Sequence, residues 1–522
     1  MNQSEKQNIS KVAKNSLISG IGSIVNLTTM PLTSVITTRV LGAELFGIYS
    51  LVQSWGSLLS NLSSLGLNGT NLRFIPTYKG LGDWPKIKGS ILWTLRVSFF
   101  ISLALTVFVL IFPSQFCAIF VHRPDNISQE TFEANVVRAF RFYAVSILMT
   151  SLYQVMMSSL NGLQEIKYKV LSNEIIGSAA KIISLVLFVF FGWDLYAALG
   201  SNLVQDAVIL SVSLFFLLKV FPKLKDSSFK PVFEKKEMNK FAAALFTNSL
   251  LSKYTFQLDI LFLGFFTTMR EVGIYTVALR LQPLIYLPHY TISTIFGPLV
   301  AELYSAKKKD ELKNLYQTVT KWSLSISLPI CTTVLMFSTE ILNIFGKDFS
   351  EGIMLLVVLS IGNLYHDFLG LAGNVIMMTG RIKVNLINSA IMAVVNVIQY
   401  YFLIKHYGIM GAAVGNAMSM VIINTIVMLE VKYFLGFVPF RKSLYKPALS
   451  ILVSVVLVEI LLSNYKLPWY QYTFILYVFA LWALYVVGMF ILKFDKYDRY
   501  IIKKIANRIP FLAKVLPKSY QQ

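Results

Sequence analysis

Charged residues are scarce in this sequence, at 14% of 522, where soluble chains average about 25%. Acidic residues are the rarer sign, 26 against 47 lysines and arginines. Two cysteines, Cys117 and Cys331, exclude a disulfide framework and a four-cysteine metal site. The four histidines (His122, His289, His366 and His406) form no H-E-x-x-H zinc motif. No G-x-x-x-x-G-K-[ST] phosphate loop and no G-x-S-x-G nucleophile elbow occurs. We therefore expect no enzyme and no cofactor. Transport driven by an ion gradient, or by the substrate's own gradient, becomes the leading class.

What is abundant is apolar surface. Hydrophobic residues make up 55% of the chain, enough to fill about 14 membrane-crossing helices of roughly 20 residues each. Apolar stretches fall at 16–38, 45–66, 90–112, 135–160, 170–191, 195–218, 241–266, 273–301, 320–339, 353–379, 384–404, 409–431, 447–463 and 472–492. We number these spans 1 to 14. A basic segment (Lys6, Lys11, Lys14) precedes span 1, which is too long for a signal-peptide core.

In a soluble protein a net charge of +21 would indicate nucleic-acid binding. Here its distribution decides the matter. With the N-terminus inside and the spans alternating, 35 of the 47 basic residues fall on the cytoplasmic side, as the positive-inside rule requires. No nucleic-acid partner is expected. Both termini are expected in the cytoplasm of a cell-membrane protein.

The two halves repeat. Phe46-Gly47-Ile48-Tyr49 opens span 2, and Val272-Gly273-Ile274-Tyr275 opens span 8. Gly162 and Ile166-Lys167 precede span 5, as Gly380 and Ile382-Lys383 precede span 11. Ala197-Ala198-Leu199-Gly200 matches Ala412-Ala413-Val414-Gly415. A six-span unit duplicated in one orientation gives two lobes related by an axis along the membrane normal. The expected fold is an all-α polytopic membrane protein of about 14 transmembrane helices, in two six-helix lobes plus two C-terminal helices. Its expected divisions are an N-lobe (1–218), a cytoplasmic linker (219–240), a C-lobe (241–434), the appended spans 13–14 (435–492) and a basic amphipathic tail (493–522). The break at 113–134 is expected to form a short lid or surface helix.

Ionisable residues at membrane depth default to a functional reading, because each costs at least about 2.5 kcal/mol there. Arg39, Lys253, Arg280, Arg138, Arg141 and Lys181 are the candidates for binding an anionic substrate in a cavity. Arginine suits phosphate because its guanidinium binds two oxygens at once. Asp259, Asp206 and Asp367 are the candidates for ion coupling. Pro31 in span 1 and Pro283, Pro288 and Pro298 in span 8 each remove a helix hydrogen bond and bend the helix.

Thr37-Thr38-Arg39-Val40-Leu41-Gly42, Phe46-Gly47-Ile48-Tyr49, Ser64-Leu65-Gly66-Leu67 and Arg73-Phe74 resemble the opening of polysaccharide-unit flippases. Asp259, Gly264 and Val272-Gly273-Ile274-Tyr275-Thr276-Val277-Ala278-Leu279-Arg280 resemble the second-half opening of the same family. These O-antigen-type translocases belong to the multidrug, oligosaccharidyl-lipid and polysaccharide exporter superfamily. The resemblance implies flipping of polyprenyl-diphosphate-linked oligosaccharide from the inner to the outer leaflet by alternating access. The lipid bilayer, a polysaccharide polymerase and chain-length proteins are the implied partners. It carries a cationic cavity most firmly onto Arg39 and Arg280, which sit in matching motifs. The alternatives are a lipid II flippase, a cation-coupled drug exporter of the same superfamily, and a membrane-embedded polymerase or ligase.

Overall fold

The computed structural model describes residues 3–121, 133–253, 257–464, 473–492 and Asp495. The basic tail expected to be amphipathic lies outside the described residues, apart from Asp495. Every regular element among the described residues is helical. Eleven helices among the described residues are long and apolar enough to cross a membrane. Two of these hold two spans each. Gln3–Ser64 carries spans 1 and 2 joined at Gly42, and Ile382–Leu435 carries spans 11 and 12 joined at Gly408. Both glycines take positive φ, 65° and 53°, a conformation that turns the chain without a loop. Span 7 comes as Lys235–Lys253 and Leu258–Phe266. With these, each of the fourteen expected spans has its helix.

Some boundaries differ. The helix of span 1 starts at Gln3, because lysine is a good helix former and does not stop a helix by itself. Span 10 divides at Gly370 into Ile353–Leu369 and Ala372–Met378. The repeat reaches further than the sequence motifs show. Short helices Pro113–Phe120 and Ser338–Phe345 follow spans 3 and 9. The first of them lies where a surface helix was expected. It packs on span 2, with Trp55 against Phe116 and Phe120 at ring separations of 5.0 and 4.7 Å.

The chain divides into two compact units. Unit 1 is Met1–Thr276, Phe345–Phe349 and Asn396–Ile409; unit 2 is Val277–Ile344, Ser350–Val395 and Met410–Gln522. Inside unit 1, spans 2, 3 and 4 are stitched by small polar residues. The Ser63 hydroxyl donates to Ser151 at 2.7 Å, and Ser98 shares a 2.6 Å bond with the same hydroxyl. Asn71 donates to Thr94 and Ser159, each at 2.9 Å, and accepts from Ser90. Apolar burial does not distinguish helix from lipid, so small side chains and interhelical hydrogen bonds supply the specificity.

Inside unit 2, spans 13 and 14 dock on span 9. Val458, Leu481 and Tyr485 form a buried cluster with Leu328 and Met336 against it. Tyr485 donates to the Ser325 carbonyl at 2.8 Å, and the Trp482 indole to Thr333 at 3.2 Å. Below them Asp495 sits between two ammonium groups, Lys321 at 2.9 Å and Lys446 at 2.8 Å.

The segment expected to be a linker is fastened to unit 1. Val232 donates to the Pro85 carbonyl at 3.1 Å. Glu234 accepts from Tyr78 at 2.5 Å and pairs with Lys86 at 2.7 Å. The hydrogen bonds from Lys86 and Tyr78 hold the Glu234 carboxyl below the usual carboxylate range. A lowered folded-state pKa contributes stability above the unfolded value of about 4.3, and that stability fades as pH falls through the folded value. Protease cleavage within 225–234 is therefore expected to speed up below pH ~4. A Glu234→Gln protein should show that faster cleavage already at pH 7, timed by gel. The pair is partly exposed, so the effect should be small.

Candidate functional site

The predicted cations occupy several places. Arg39 lies near the end of span 1 and is exposed. Arg138 and Arg141 sit in the first turn of Arg138–Gly162 on one exposed face. Lys181 is half-buried in the first turn of Ser178–Phe190. Arg280 is half-buried in span 8, within unit 2. Lys253 ends the first helix of span 7, and its side chain lies outside the described residues.

The three carboxylates are all buried, and each has a different surrounding. Asp206 accepts from the Ser146 hydroxyl across spans 6 and 4, with Lys181 in electrostatic reach. Asp259 accepts from the Tyr275 hydroxyl at 2.6 Å and from the Ile260 amide at 2.8 Å. That tyrosine belongs to the second copy of the repeated motif. Its counterpart Tyr49 accepts from Asn202 at 3.0 Å. Both motif tyrosines thus sit buried in a polar bond to another span. The reason they recur is that a phenol in the membrane interior needs a partner.

Asp367 is different. It is fully buried, and neither carboxylate oxygen has a hydrogen-bond partner. His289 Nδ1 lies 3.0 Å from its Oδ1, and the His366 ring lies 4.3 Å from that of His289, tilted by 39°. His289 is a residue that sequence reasoning missed. Histidine inside a membrane span was the available signal, but nothing in spacing joins position 289 to 366.

The motif glycines meet each other. A Cβ built on Gly47 would lie 1.7 Å from the Met269 carbonyl oxygen and 3.0 Å from the Gly273 nitrogen. A Cβ on Gly273 would lie 2.0 Å from the Ala43 carbonyl oxygen and 3.0 Å from the Gly47 nitrogen. Spans 2 and 8 therefore cross backbone to backbone at the two repeated motifs, inside unit 1. The start of span 8 is held by a reciprocal cap. Glu271 accepts from the Thr268 amide at 3.0 Å, and Thr268 Oγ1 accepts from the Glu271 amide at 3.3 Å.

Spans 2 and 8 thus meet at glycines, and several ionisable groups lie buried at membrane depth. The family model for polysaccharide biosynthesis proteins matches residues 12–299, more than half of the chain. The chain belongs to that family. The MatE model matches residues 243–402. The chain is 25% identical over 256 residues to the probable low-salt glycan biosynthesis flippase Agl15 of Haloferax volcanii, covering 49% of this chain and 52% of that one. It is 31% identical over 132 residues to the capsular polysaccharide biosynthesis protein CapF of Staphylococcus aureus, covering 25% and 33%. The match thus spans about half the length of the first relative and a third of the second. The fold is that of the lipid II flippase MurJ in an inward closed conformation, with a TM-score of 0.70 at 17% identity over 91% of this chain and 98% of that one. The chain is that of a multi-pass membrane protein.

Proposed function

We propose that this protein flips polyprenyl-diphosphate-linked oligosaccharide units from the cytoplasmic to the outer leaflet by alternating access, without enzymatic chemistry. The observation that carries the reading is the polysaccharide biosynthesis family match over residues 12–299. The flippase fold and the glycan-flippase name of Agl15 support it. Both termini are cytoplasmic in this reading, and a polysaccharide polymerase and chain-length proteins take up the product. The crossing at Gly47 and Gly273 is the contact that parts when the outer side opens. Arg39, Arg280 and Lys253 contact the diphosphate, with Arg138, Arg141 and Lys181 along the path. Asp367 leads the coupling candidates, since Asp206 and Asp259 already accept hydrogen bonds from other helices.

A drug exporter is the second reading, favoured by the MatE match over 243–402. The two are separated by charge reversal at the cationic positions. Arg39→Glu and Arg280→Glu are each expected to lower glycan export by about 100-fold or more in a strain lacking its own flippase, at equal membrane levels of protein. Losing one side of a desolvated charge contact costs about 2–5 kcal/mol. Arg→Lys at the same positions should retain part of the export. Full complementation by both reversals would remove these arginines from the substrate path.

A further inference from the structure

The cluster His289, His366 and Asp367 is not accounted for by anything above except a general coupling role for its aspartate. We propose that these three side chains bind one divalent transition-metal ion of the zinc and cobalt class inside unit 2.

The donor set comes first. One nitrogen from each imidazole and one carboxylate oxygen all lie within 4.8 Å of one another. His289 comes from span 8, and His366 and Asp367 from span 10. Every one of these donors is without a hydrogen bond. His289 Nδ1, His366 Nε2 and both oxygens of Asp367 are buried and unpartnered among the described residues. Asp206 and Asp259, buried to the same degree, do have their hydrogen bonds. A buried carboxylate left without hydrogen bonds costs several kcal/mol unless a cation stands beside it.

The tautomer of His366 is decided by its neighbour. Asn424 on span 12 donates its Nδ2 to the Met420 carbonyl at 2.7 Å, so its Oδ1 is the atom 2.7 Å from His366 Nδ1. That oxygen can only accept, so His366 Nδ1 carries the proton. The lone pair is then on Nε2, which is buried and makes no hydrogen bond. A ring nitrogen oriented through its other N–H is the arrangement found behind metal-bound histidines. His289 Nδ1 and Asp367 Oδ1 are 3.0 Å apart yet off-line for a hydrogen bond. Two donors held by one ion at about 2.0–2.2 Å each stand roughly 3.3–3.6 Å apart at a tetrahedral angle, so this pair needs to open by only a few tenths of an ångström.

The class of ion follows from the donors. Two neutral imidazoles and one carboxylate suit zinc, cobalt or manganese, whereas sodium and calcium take oxygen sets and copper(I) takes sulfur. Tyr286 lies against both rings, at 5.1 and 5.2 Å, and is 37% exposed. It marks the side from which an ion would enter and a water would complete the coordination. His406, exposed and bonded to its own helix at the Phe402 carbonyl, serves as the control.

The test uses the full chain in detergent, stripped with chelator and titrated with Co2+. One Co2+ per chain is expected, with a visible d–d band that Zn2+ displaces. His289→Gln, His366→Gln and Asp367→Asn should each lose the band, and His406→Gln should keep it. Asn424→Leu should keep the stoichiometry but weaken binding about 10–100-fold, as expected of a positioning residue. Cu2+-loaded unmodified protein should show two coordinated imidazoles by pulsed electron paramagnetic resonance, a measurement that needs no variant to fold. Three results overturn the proposal: no Co2+ or Zn2+ uptake by the stripped protein, a band that survives His366→Gln, or fewer than two imidazoles on the copper. The first leaves the direct contact of His289 with Asp367 as the account. Metal uptake is measured without transport, so its outcome is independent of the flippase reading.

Discussion

Gly273→Leu is expected to abolish glycan export and to lower the stability of the membrane-inserted protein by about 1–3 kcal/mol, the usual range for overpacking. The atom that a side chain at 273 meets is the Ala43 carbonyl oxygen, 2.0 Å from the first added carbon. A backbone oxygen cannot rotate aside as a side chain can, so span 2 must move. Even alanine is too large. Gly47→Leu should behave alike, since its first carbon meets the Met269 carbonyl oxygen at 1.7 Å. Because the two changes break one contact, the double variant should lose less than the sum of the single losses. Gly373→Ala is the control. Gly373 is exposed in the helix Ala372–Met378, with nothing within 4 Å of an added Cβ. Alanine there should be neutral or stabilising by up to about 1 kcal/mol. Thermal unfolding and complementation check all four. A Gly273→Leu protein with unchanged melting and export would show that spans 2 and 8 do not depend on this approach.

The second large effect lies at Asp495. Its carboxylate is shared by Lys321, whose side chain is only 3% exposed, and by Lys446. Asp495→Ala removes the anion between two ammonium groups. It should cost about 3 kcal/mol, the scale for breaking a buried pair from one side. Burial pushes the Asp495 carboxyl up, but hydrogen bonds from Lys446 and Lys321 outweigh it and hold the group well below the ordinary carboxylate range. The sign follows. The stabilisation is complete above the unfolded value of about 3.9 and is lost as pH falls below it through the folded value. Melting temperature should therefore drop in the unmodified protein as pH falls below ~4, and the Asp495→Ala protein should show less of that drop. An equal acid sensitivity in both would remove the triad as its source.

Much of this architecture was legible in the sequence because a bilayer imposes a simple rule on it. Span 6 was expected at 195–218 and is Leu195–Val220; span 13 was expected at 447–463 and its helix is Tyr445–Asn464. Apolar length sets those limits. Depth also flagged Asp206, Asp259 and Asp367 as buried. What depth does not carry is direction around the helix. It could not distinguish Asp259, hydrogen-bonded to a motif tyrosine, from Asp367, whose oxygens make no hydrogen bond and lie beside His289. Nor could it place His289 beside His366, because that pairing depends on how spans 8 and 10 are rotated against each other. For a similar reason the segment 219–240 reads in the sequence only as a basic linker between two halves. Its prolines and lysines look solvated in isolation, and only the surfaces of Tyr78 and Lys86 show what Glu234 is for.

The meeting of Gly47 with Gly273 has a further consequence. Each glycine nitrogen would lie 3.0 Å from the other's added carbon, and the two residues occupy equivalent places in the duplicated unit. Such a contact is isologous: position i touches its own counterpart, as across the two-fold of a homodimer. A single six-span chain bearing one Phe-Gly-Ile-Tyr-like motif would already possess both sides of it. The bond between the halves is thus self-complementary, and fusion of two copies needed no new surface to be invented at this point.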